Sequence, residues 1–73
     1  MDYTILQGTS NKRDRFKVYH KYRYDSYKEA IKVFNEIKDN RSCYDLKKNE
    51  YVLTVMYDNK GEPLELYKSY KKR

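Results

Sequence analysis

Ten consecutive residues, Arg15-Phe16-Lys17-Val18-Tyr19-His20-Lys21-Tyr22-Arg23-Tyr24, alternate basic side chains with apolar or aromatic ones at period two. Successive side chains of a strand point to opposite faces of its sheet, so this period belongs to extended chain. Read without interruption, the alternation places Phe16, Val18, His20, Tyr22 and Tyr24 on one face and Arg15, Lys17, Tyr19, Lys21 and Arg23 on the other. The first face is expected to enter a core. The second is expected to be a cationic row with one aromatic ring at its middle.

The flanking segments predict what this strand pairs with. Residues 3–7 form a short strand with Tyr3 and Ile5 on one face, and Gly8 to Asp14 is a polar stretch of turn formers. Strand, loop and strand predict a hairpin whose tip carries Lys12 and Arg13 beyond the sheet edge. After Tyr24 the period changes to 3.6: Tyr27, Ala30, Ile31, Phe34 and Ile37, with Val33 beside them, predict a helix over 27–39. Ser26 and Glu29 have the spacing of a capping box, and Asp25 adds negative charge at the positive end of the helix dipole. Residues 40–50 read as an irregular connection that packs one or both of Tyr44 and Leu46 on the core edge.

Tyr51 to Tyr57 is the most β-prone run, and its nearly continuous apolarity predicts a central strand covered on both faces. Asp58 to Pro63 reads as a turn, with Asn59 and Gly61 suited to positive φ and Pro63 suited to an edge strand. Leu64 to Tyr70 alternates again. Its leucines, Leu64 and Leu66, are expected inward, with Glu65, Tyr67 and Ser69 outward.

This order predicts an α+β fold: a two-layer ββαββ arrangement of two antiparallel hairpins with one amphipathic helix packed on one sheet face. The other face has no second layer in this reading and would display Lys17, Tyr19, Lys21 and Tyr67. Seventy-three residues suffice for one domain, 1–73, with residues 70–73 read as a frayed basic tail. A core of this size supplies roughly 3–5 kcal/mol of net stability, so a homodimer is among the expectations.

Charge and residue types narrow the function classes. Seventeen Lys and Arg against eleven Asp and Glu give a net charge of +6, which favours polyanionic partners. Cys43 is the only cysteine, which rules out an intramolecular disulfide and fits a reducing compartment. It reads as a small loop residue, with a redox or dimerising thiol as the alternative. Neither a secretory run nor a membrane span is present, so the chain is expected to be soluble, cytoplasmic (in the host cytoplasm if phage-encoded) and without a membrane partner.

His20 is the only histidine, the carboxylates are scattered, and neither Gly8 nor Gly61 lies in a phosphate-cradling motif. No metal site, no cofactor and no enzymatic activity are therefore expected.

The cationic row carries the main functional expectation. Cations track phosphates while tyrosine rings offer faces to unstacked bases, so Arg15, Lys17, Tyr19, Lys21, Arg23 and Tyr67 predict nucleic-acid contact, single strands favoured. Lys12, Arg13 and the cluster Lys71, Lys72 and Arg73 would extend the track. Alternating cations also keep sheet edges from pairing, which is the bland reading of the same row. The alternative is a stoichiometric inhibitor that occupies a host or defence enzyme handling nucleic acid. In size and composition the chain resembles the small reading frames of phages and mobile elements, and tyrosine with arginine also suits protein interfaces. Sequestration of small anionic nucleotides is a further alternative. It requires a concave pocket.

Overall fold

A computed structural model describes residues 2–11, 15–40, 44–47 and 49–70. The chain order is β1 (Tyr3–Ser10), β2 (Lys17–Tyr24), α1 (Tyr27–Ile37), β3 (Tyr51–Tyr57) and β4 (Pro63–Tyr70). All four strands join one antiparallel sheet in the order β2-β1-β3-β4, with the helix on one face. This is the α+β, ββαββ arrangement that the periods predict. The β1–β3 pairing joins the two hairpins, so β2 and β4 are both edges.

The helix starts where its cap specifies. Ser26 is extended, and its hydroxyl accepts the Glu29 amide at 3.1 Å, satisfying one of the amides left over at a helix start. Ala30 and Phe34 are buried and pack with Ile5 and Met56, while Ile31, Val33 and Ile37 close the sides. At its far end the Ile37 carbonyl accepts from Gln7 Nε2 of the sheet at 2.7 Å. A side chain of β1 thus satisfies a helix carbonyl that has no partner within the helix.

Both faces of β3 are covered, as its apolar run predicts. Met56, Thr54 and Val52 pair with Ile5, Gln7 and Thr9 on the helix side. Tyr51, Leu53 and Val55 form a second buried cluster on the other side, where Phe16 and Tyr57 pack over them. Phe16 therefore crosses the face that was expected to be bare, and Val55 is only 2% exposed without a second layer.

Four expectations about the strands need correcting. First, β1 does not end at Gln7: Gly8, Thr9 and Ser10 are buried strand residues paired with β3. Their turn chemistry yields because β3 gives all three ladder partners and β2 pairs Gly8 and Thr9 from the other side.

Second, the alternation of β2 is interrupted. Gln7 pairs with His20 and Gly8 with Val18, leaving Tyr19 as the extra residue of a β-bulge. Partners share a face, so Tyr22 and His20 lie on the helix side with Ile5 and Gln7, and so does Lys17 with Thr9. Phe16 and Val18 consequently fall on the open side. Gly8 makes room for the bulge: a Cβ there would land on the Lys17 carbonyl and 2.9 Å from Val18 Cα.

Third, the faces of β4 are reversed. Tyr67 pairs with Thr54 and Ser69 with Val52 on the helix side, and Ser69 is buried, while Leu66 pairs with Val55 on the open side. Leu64 and Leu66 are 42% and 53% exposed. The pairing with β3, shifted by a second irregularity at Met56 and Tyr57, sets the phase and overrides the leucine pattern. Fourth, Tyr70 pairs with Tyr51 in β4 and is no part of a tail.

In the turn, Gly61 takes φ +82° as predicted, but Asn59 does not take positive φ; Asp58 Oδ1 accepts the amides of Lys60 and Glu62, both at 2.9 Å, and closes the turn. Cys43, Lys12, Arg13, Lys71, Lys72 and Arg73 lie outside the described residues.

Candidate nucleic-acid interface

The bulge divides the predicted cationic row. Lys21 and Arg23 pair with Leu6 and Thr4 and stay on the open side, whereas Lys17 lies with Thr9 on the helix side. Arg15, Lys17 and Tyr19 line one cleft together. Tyr67 is removed to the far edge, where Lys38 Nζ lies 4.9 Å from its ring centroid. Because β2 is an edge strand, however, both of its sides are reached from the same flank. Arg15, Lys17, Tyr19, Lys21 and Arg23 are all exposed along that flank. Arg23 also meets Asp2 at 3.0 Å, an exposed pair of the kind worth only about 0–1 kcal/mol.

The cleft, with a volume of about 700 Å³, opens between the start of β2, the end of β1 and the residues Tyr44, Asp45, Lys47 and Glu50. Among the described residues, three cations, Arg15, Lys17 and Lys47, line it together with the carboxylates of Asp45 and Glu50. Its aromatic wall is continuous. Tyr19 meets Tyr44 edge-on with centroids 5.5 Å apart, Tyr44 meets His20 edge-on at 6.0 Å, and His20 stacks on Tyr22 at 6.3 Å. Tyr19 and His20 both touch Tyr44 because the bulge turns two successive side chains to the same side. Lys17 Nζ sits 5.4 Å from the Tyr19 centroid, in cation–π range.

A buried polar network holds this wall. The Tyr44 hydroxyl donates to Gln7 Oε1 at 2.9 Å, and Gln7 Nε2 donates to the Ile37 carbonyl and to Thr54 Oγ1 at 2.7 and 3.0 Å. Gln7 thereby ties β1, β3, the helix end and the Tyr44 segment together. Leu46 of the same segment is buried, and Glu50 Oε1 accepts the Lys47 amide at 2.7 Å next to Asn49 at φ 71°.

Sequence reasoning expected Tyr44 on the core edge but not as part of a site. His20, expected on the inward face, does lie on the helix side but is exposed there. Lys47 and Thr9 carried no signal at all, since both join the cleft only through the folding of loop and sheet.

On the open side, the strand residues carry Lys21, Arg23 and Lys68 and no carboxylate. Lys68 Nζ lies 5.4 Å from the Tyr51 centroid. Val18, Leu66 and Tyr70 of this side are 45%, 53% and 59% exposed. Among the described residues, no three of His, Cys, Asp and Glu converge, and no helix is long and apolar enough to cross a membrane. No protein-family model matches the chain, and no match was found among curated proteins or solved structures.

Proposed function

We propose that the chain is a non-enzymatic binding protein that contacts nucleic acid, single strands in preference, along its β2 edge. One observation carries this reading: Arg15, Lys17, Lys21 and Arg23 are all exposed on one flank of the sheet, with the Tyr19 bulge between them. The site differs from a flat outer face. A backbone would run along the edge strand, met by cations from both sides, while bases reach the rings around the bulge. A cytoplasmic setting, where single-stranded RNA is present, suits this activity.

Fluorescent oligonucleotides titrated at several salt concentrations test it. With four cations on phosphates, log affinity is expected to fall with log salt at a slope of about −3 for a single strand. Lys17→Glu combined with Lys21→Glu is expected to abolish binding while leaving the circular dichroism spectrum unchanged. Binding that survives the double substitution defeats the proposal.

The second reading is a stoichiometric protein ligand that acts on an enzyme handling nucleic acid. The exposed Val18, Leu66 and Tyr70, with Lys21 and Lys68 among them, favour it, because apolar and aromatic residues ringed by cations suit a protein interface.

A further inference from the structure

The cleft beside the bulge has the dimensions and chemistry of a small-ligand site, which the edge reading alone does not require. Its volume of about 700 Å³ falls within the usual 300–1,000 Å³ of such sites. Its wall is also set in advance. Tyr44 is fixed through Gln7, and Tyr19 stands edge-on to it with half of its surface exposed at 51%.

An aromatic ring entering here meets π-surfaces already in place, so little ordering entropy is lost on binding. Lys17, on a flexible stem, holds its ammonium near the Tyr19 ring, where an anion attached to a stacked base would meet it. Arg15 lines the same cleft.

The carboxylates decide how much anion the cleft accepts. Among the described residues, three cations against Asp45 and Glu50 leave one net positive charge (3 − 2). That balance suits one phosphate group and opposes a triphosphate, whose extra charge would face the two carboxylates.

We infer that the cleft binds a single nucleotide unit, its base against the Tyr19–Tyr44 pair and its one phosphate met by Lys17 and Arg15. The inference rests on the same site as the proposed strand contact and names the unit recognised there. That unit is either one nucleotide of a strand or a free nucleoside monophosphate.

Nuclear magnetic resonance titration of the full chain tests it, with AMP, adenosine, ribose 5-phosphate and ATP as probes and a single-stranded oligonucleotide in parallel. AMP is expected to move the resonances of Tyr19, His20 and Tyr44 to saturation. Adenosine and ribose 5-phosphate each lack one half of the unit and should bind about tenfold more weakly. ATP should bind no tighter than AMP. Tyr19→Ala and Lys17→Ala replace exposed side chains, so the remaining spectrum should hold while AMP affinity drops about tenfold.

If AMP leaves these resonances in place while the oligonucleotide binds, the inference is overturned and the strand contact stands. If AMP binds and the oligonucleotide does not, the cleft is upheld with free nucleotide as its ligand and the edge reading fails. Competition between the two identifies the unit as part of a strand. ATP binding about tenfold tighter than AMP overturns the single-phosphate assignment, and no binding by either overturns both proposals.

Discussion

Gly8 and Gln7 are neighbours whose side chains, one absent and one buried, govern opposite faces of β1. Gly8 has no room for a Cβ, because the Lys17 carbonyl occupies that space. Gly8→Ala therefore forces the bulged strand away from β1 and is expected to cost about 1–3 kcal/mol, the usual range for overpacking. A urea unfolding midpoint shifted by less than its error would show that the strand gives way freely.

Gln7 is 2% exposed, and its amide satisfies Tyr44, Ile37 and Thr54 at once. Gln7→Leu is similar in size but removes one hydrogen bond from each of those groups, although the Ile37 carbonyl keeps the Asn40 amide at 3.0 Å. The expected loss is about 1–3 kcal/mol. Because Tyr44 loses its anchor, its ring should also sharpen or shift in the aromatic proton spectrum, which a purely global destabilisation would not produce.

At the scale of elements, the helix and the β2 bulge make separate predictions. Ser26 caps the helix through the Glu29 amide, so Ser26→Ala is expected to lower stability by about 1 kcal/mol without altering nucleic-acid binding. Ser26 does not line the cleft, and an unchanged salt slope checks this. The bulge is testable by removing its extra residue. Deleting Tyr19 would leave Val18 opposite Gly8 and His20 opposite Gln7, a regular ladder that preserves both faces. Gly8→Ala should then cost less than in the intact chain, and a double-mutant cycle on unfolding free energies reads the difference. Equal costs in both backgrounds would mean that the glycine is needed for a reason other than the bulge.

For the molecule as a whole, a charge of +6 gives general attraction to polyanions, but the fold decides where that attraction is focused. Duplex and single strands of equal length separate the two contributions. General attraction alone gives the duplex the advantage, through its higher charge density, and the advantage disappears in physiological salt. The edge with its aromatic bulge is expected to hold the single strand more tightly at physiological salt.

What the sequence determined by itself was set by local physics: the period of each segment, the Ser26 cap, the Gly61 turn, and the apolar run that places β3 in the middle. These depend on neighbours within a few residues and were legible without any long-range contact, as was the ββαββ order. Tertiary structure alone decided the rest. The alternation from Arg15 to Tyr24 departs from basic residues only at Tyr19, which the period alone reads as one aromatic within the row, yet pairing with a glycine of β1 inserts a bulge there and sends Lys17 and Lys21 to opposite sides. Pairing with β3 likewise turned Tyr67 and Ser69 inward against the leucine pattern, and drew polar Gly8, Thr9 and Ser10 into the sheet. The cleft needed residues from β1, β2 and the Tyr44 segment to meet. A period reports which residues share a face only while the register is unbroken, and register is a property of two strands together.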